Sequence, residues 1–137
     1  MMNPFPTLLA FGLVAPLILR VTLGGLFVIE GYKHLTSGRE QRQVLLESKL
    51  GDFAKTAVWI SGGVEMLMGI FFIMGFLTQI VAILAGLSSI KVLYRKWRRS
   101  ELAALEPYSP MLYLLIVAIS LSLLFSGAGF LAVDRPL

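Results

Sequence analysis

The stretch Pro16-Leu17-Ile18-Leu19-Arg20-Val21-Thr22-Leu23-Gly24-Gly25-Leu26-Phe27-Val28-Ile29-Glu30-Gly31-Tyr32-Lys33-His34-Leu35 decides how the chain must fold. About 20 apolar residues in a helix span the hydrocarbon core of a bilayer. This run has that length, with Arg20, Glu30, Lys33 and His34 as its only ionisable interruptions apart from the Tyr32 phenol. Proline suits the first turn of a helix and disrupts an interior. Pro16 therefore separates the span from residues 5–14, which read as an interfacial or kinked extension. Three further apolar runs lie within residues 57–74, 78–94 and 110–125. Gly75-Phe76-Leu77-Thr78 joins two of them as a tight hairpin, and Ser109-Pro110 is an N-cap followed by proline at the first helical position. The expectation is an all-α integral membrane bundle of four transmembrane helices over residues 16–35, 56–75, 78–95 and 110–126, forming one domain from 1 to 137. Between the first two spans, Ser37 and Glu40 have capping-box spacing, and Val44, Leu45, Leu50 and Phe53 follow. This predicts a short amphipathic helix from Arg39 to Leu50, ended by Gly51, with a solvated loop as the alternative. Ser100 through Glu106 reads as a short acidic helix broken by Pro107.

Composition agrees with a lipid environment. Of the 137 residues 57% are hydrophobic and 15% charged, against about 25% charged in an average soluble domain, and mean hydropathy is +0.82. Disorder, which needs low hydrophobicity and high charge, is excluded. There is no cysteine and one histidine. Disulfides, thiolate metal sites and thiol relays are therefore excluded, as is a bis-histidine haem within one chain. Any redox role depends on a bound molecule or a partner.

The basic residues are placed asymmetrically. Lys33, Arg39, Arg42, Lys49 and Lys55 surround the first connection, and Lys91, Arg95, Lys96, Arg98 and Arg99 the third; the opposite side has only Arg135. By the positive-inside rule, both connections are cytoplasmic and both termini extracytoplasmic, in the inner (plasma) membrane. The net charge of +4 then reads as a topology anchor touching anionic lipid rather than a nucleic-acid surface. The N-terminus has no basic n-region, so no cleaved signal peptide is expected.

Ionisable groups at depth cost about 2.5–3.5 kcal/mol each on insertion scales. Arg20 lies about one turn inside the outer end of the first span, and Glu65 near the middle of the second. Glu30 and Lys91 lie roughly 21 and 20 Å along their helices, a depth match that allows them to pair. At 100° per residue Arg20, Gly24, Phe27, Gly31 and His34 share one stripe, and Ser61, Glu65, Gly69 and Phe72 another. Small residues on such stripes let helices approach closely. On the third span the stripe is Gln79, Ile83, Gly86 and Ile90, off which Lys91 falls; Lys91 and Lys33 are placed to snorkel. Glu65 has two readings, a proton-linked or ligand-binding carboxylate and a structural pair. Arg20 reads as an interface anchor or a fold-holding salt bridge, and His34 as an interface hydrogen-bonder. Met66, Met68 and Met74 read as packing, not a metal site.

Several motifs, in this order, resemble the DoxX family. Leu19 through Phe27, with Arg20 near the start of an apolar helix, runs into Glu30-Gly31-Tyr32-Lys33-His34-Leu35. Val64-Glu65-Met66-Leu67-Met68-Gly69 leads to the Gly75–Thr78 hairpin, and Gly127-Ala128-Gly129 to Asp134-Arg135. The chain departs from the family where a histidine is common before the Gly-x-x-Lys ending, having Glu30 there and its histidine at position 34. The resemblance implies a compact four-helix membrane bundle, with Asp134 returning to the outer face so that Arg20 pairs with Asp134 or Glu65. Its relatives include a quinone-linked thiosulfate-oxidising subunit and membrane components of oxidative-stress complexes. The functional expectation is a non-catalytic accessory or structural subunit of a larger energy-transducing or redox membrane complex, with other membrane subunits as partners and no covalent cofactor. The alternative is a quinone-linked oxidoreductase subunit, with Glu65 and Arg20 as catalytic candidates and Glu65, Phe27 and Phe72 lining a quinone or lipid site. A small proton-linked transporter using the same charges ranks third.

Overall fold

The computed structural model of the protein describes residues 12, 14–37, 39–98, 108–127, 129, 132 and 133. Five helices follow in order: α1 (Val14–Leu35), α2 (Arg39–Leu50), α3 (Phe53–Met74), α4 (Thr78–Arg98) and α5 (Pro110–Ser126). No strand occurs among the described residues. α1 and α3 are long and apolar enough to cross a membrane, while α5 is a shorter apolar helix of 17 residues. α4 has 21 residues, with Arg95, Lys96 and Arg98 in its last turn.

Local chemistry accounts for the helix ends. α1 begins at Val14, two residues before the expected start, and its first turn accommodates Pro16 because the first amides have no intrahelical partner. α2 spans the predicted Arg39–Leu50 as a helix and stops at Gly51, whose φ is 55°. α3 stops at Gly75 in the left-handed region (φ 68°, ψ 39°). There the Gly75 amide bonds the Phe72 carbonyl and the Phe76 amide the Phe71 carbonyl, a Schellman closure. Leu77 (φ 48°) completes the reversal into α4. At the start of α5 the Ser109 side chain accepts from the Leu112 amide and Pro110 occupies the first turn. The extension over residues 5–14, apart from Gly12 and Val14, and the acidic helix at 100–106 lie outside the described residues.

The bundle is two antiparallel pairs, α1 with α3 and α4 with α5, with α2 laid against α3. Glycine makes the first pair close. A Cβ on Gly24 would stand 2.7 Å from the Gly69 carbonyl oxygen, and one on Gly31 would stand 2.8 Å from that of Gly62. Real Cβ atoms do not approach so closely, so α1 and α3 meet backbone to backbone at two levels seven residues apart on each helix. The core packed around this contact includes Leu23, Phe27, Met68, Phe72, Ile116 and Leu123.

On α1 the buried residues are Pro16, Arg20, Leu23, Gly24, Phe27, Glu30, Gly31 and His34, which include the whole predicted stripe. Two other faces differ from expectation. α3 turns Gly62, Gly69 and Phe72 inward with Ala54, Val58 and Met68, and Ser61 is exposed. α4 buries Thr78, Val81, Ala82, Ala85 and Ser89 rather than the stripe through Gln79 and Ile83, which are exposed. The larger side chains of α4 serve the outer surface, and its small ones admit the neighbouring helices.

Candidate functional site: a polar junction at the basic end of the bundle

Antiparallel packing with Gly31 opposite Gly62 brings the last turn of α1 beside the middle of α3. His34, one turn beyond Glu30, is 3% exposed, and its Nδ1 directly contacts the Glu65 Oε2. The other ring nitrogen, Nε2, accepts from the Arg42 guanidinium of α2. With Nε2 accepting, the neutral imidazole carries its proton on Nδ1, facing the carboxylate. Three helices therefore converge on one imidazole. Arg39 adds a second link from α2, its guanidinium 4.7 Å from the centre of the Trp59 ring on α3.

A second group of polar residues gathers one turn earlier on α1, around Glu30. Glu30 is 5% exposed and accepts a 2.8 Å hydrogen bond from the Tyr113 hydroxyl of α5. The Tyr113 ring stands 6.2 Å from that of Tyr108. Lys96 of α4 donates to the Tyr108 carbonyl and lies 5.5 Å from the Tyr113 ring, and Lys33 lies 5.8 Å from the Tyr108 ring. Burial, followed by the negative field of Glu30, raises the Tyr108 phenol above its ordinary value.

The sequence-predicted residues distribute as follows. Glu65 meets His34. Arg20 is 1% exposed and lies at the far end of the α1/α3 contact, its guanidinium packed over Gly75. Val133 donates to the Met74 carbonyl, so the tail returns to that same end; Asp134, the predicted partner of Arg20, lies outside the described residues. Of the expected Glu30–Lys91 pair, Glu30 accepts from Tyr113 and Lys91 is exposed on α4. Phe27 and Phe72 are 3% and 0% exposed, with ring centres 6.2 Å apart. Both rings belong to the hydrophobic core cluster. Among the described residues no group of three or more His, Asp and Glu side chains is placed to hold a metal ion.

Sequence reasoning missed His34 as the partner of Glu65 and Tyr113 as the partner of Glu30. A signal for the first was present. Laying the pair Gly24/Gly31 antiparallel on Gly62/Gly69, both spaced by seven, sets His34 within two turns of Glu65.

The family model of DoxX matches residues 15–91, from the first turn of α1 to Lys91 in α4. The chain belongs to the DoxX family. The DoxX match contains Arg20, Glu30, His34 and Glu65, hence the whole His34–Glu65–Arg42 junction, while Tyr108 and Tyr113 lie beyond it. Comparison with curated proteins and with solved structures returned no match. DoxX membership together with two apolar helices of spanning length makes this a membrane protein.

Proposed function

We propose that the protein is a four-span component of the inner membrane that serves as a non-catalytic accessory subunit of a larger energy-transducing or redox complex. In this reading α1, α3, α4 and α5 cross the bilayer, α2 lies on the cytoplasmic surface, and both termini are outside. The observation that carries it is the internal pairing of the buried polar groups. His34 is held between Glu65 and Arg42, and Glu30 accepts from Tyr113. Polar groups spent on one another tie helices together, which is the work of a scaffold. Large apolar side chains meanwhile cover the outer faces, Ile18, Leu67, Leu87 and Leu114 among them, where lipid or neighbouring subunits can pack. Purification in mild detergent tests the reading: a multi-protein assembly is expected, and a lone 15.1 kDa chain or a homo-oligomer overturns it.

One observation favours a second reading, a quinone-linked oxidoreductase subunit. The Glu65 side chain keeps 24% of its surface exposed, so a quinone arriving from the bilayer could meet Glu65 at the rim of the bundle without entering between Phe27 and Phe72. Glu65→Gln would then abolish quinone reduction by the complex while leaving the protein inserted. Unchanged turnover removes this reading.

A further inference from the structure

The basic end of α4 has a feature that the junction at His34 does not use. A cleft of about 440 Å³ is lined by Ile90, Leu93, Tyr94, Lys96 and Trp97 of α4 and by Pro110 of α5. Its volume lies within the roughly 300–1,000 Å³ of small-molecule sites. On the α4 helical wheel Ile90, Leu93, Tyr94 and Trp97 form one apolar stripe, at the spacing i, i+3, i+4 and i+7. Cations flank that stripe on both sides. Lys91 and Arg98 lie along one edge, both exposed, and Lys96 lies along the other. Arg98 is held over the Tyr94 ring at 5.6 Å, and Lys96 is anchored at the Tyr108 carbonyl, so two of the rim cations are positioned. Trp97 is 91% exposed, the placement of a ring at the boundary between headgroups and acyl chains.

From this arrangement we propose that the cleft is a binding site for one anionic phospholipid, with an acyl chain along Ile90, Leu93 and Pro110, the phosphate at the Lys96 rim, and Arg98 adding positive charge across the stripe. An apolar trough edged by cations matches an amphiphile that is apolar along its tail and negative at its head. Basic pockets between helices on the cytoplasmic side select anionic headgroups in this way. A zwitterionic lipid presents the same tail but cancels the attraction with its own cation. The inference rests on the membrane reading above and adds to it a place and a charge preference.

Trp97 supplies its own reporter. In a Trp59→Phe background, the protein is reconstituted in phosphatidylcholine vesicles containing either brominated phosphatidylglycerol or brominated phosphatidylcholine, whose bromines quench tryptophan on contact. The expected result is stronger quenching of Trp97 by the brominated phosphatidylglycerol, equivalent to an about three- to tenfold higher relative affinity. Lys96→Gln with Arg98→Gln brings that ratio to within about twofold of unity. Arg39→Gln with Lys55→Gln removes the same charge from the other basic connection and leaves the ratio standing. Equal quenching by the two lipids overturns the site while leaving the membrane reading intact. So does an equal loss of preference in both double variants, since diffuse surface charge then explains it. Absence of quenching by either lipid overturns the membrane reading and the site with it.

Discussion

His34 concentrates more structural consequence than any other polar residue of the bundle. Its two ring nitrogens face α3 through Glu65 and α2 through Arg42, so a change at this position acts on two interfaces. Leaving a buried polar group without its partner costs about 1–3 kcal/mol, and groups in direct contact couple by about 0.5–3 kcal/mol. In detergent melts, His34→Ala and Glu65→Ala should each lower the midpoint, and the double variant should fall well short of the sum. Strict additivity would show that the contact contributes nothing. Tyr108 offers a second test at this scale. Because burial and then Glu30 raise its phenol, ultraviolet titration should show a tyrosine that ionises later than the exposed ones. Tyr108→Phe should remove that late phase, and Glu30→Gln should shift it toward the ordinary value. Since the folded state holds this proton more tightly than the unfolded chain, Tyr108 withdraws stability as pH rises through the tyrosine range. Earlier ionisation than in a free tyrosine would contradict the arrangement.

At the scale of elements, glycines separate into those that hold the α1/α3 contact and those that do not. A Cβ at Gly69 would lie 2.6 Å from the Val28 amide nitrogen, and one at Gly31 would lie 2.7 Å from that of Met66. At Gly25 and Gly63 a Cβ meets nothing within 4 Å. Gly31→Ala and Gly69→Ala should therefore destabilise by about 1–3 kcal/mol, the usual range for overpacking. Gly25→Ala and Gly63→Ala should be neutral or stabilising by up to about 1 kcal/mol through helix propensity. Thermal denaturation of all four variants checks the division, and uniform behaviour would refute it. The elements themselves were largely legible, because their ends are written in local chemistry. Ser109-Pro110 opens α5, Gly75 closes α3, and Gly51 closes α2. Facing and partnership were less so. α4 carries small and large apolar residues on adjacent stripes, and hydropathy does not distinguish the stripe that meets helices from the stripe that meets lipid. Glu30 found Tyr113 across 83 positions of sequence, a pairing that no local spacing encodes.

For the whole molecule, the absence of cysteine makes orientation directly testable. Ser37 and Ser126 are exposed at opposite ends of the bundle. With the proposed topology, Ser126→Cys should react with a membrane-impermeant maleimide on intact cells, whereas Ser37→Cys should react only after permeabilisation. The reverse pattern would invert the topology. The two-pair construction has a mechanical consequence as well. α3 and α4 are joined by the short turn at 75–77, while Tyr113 and Glu30 fasten the pairs together near the opposite end. The molecule is thus built like a pair of tongs with its pivot at the 75–77 turn and a latch between the jaws. Any force that spreads the jaws must release the latch first, and the gap it makes opens at the basic end of the bundle.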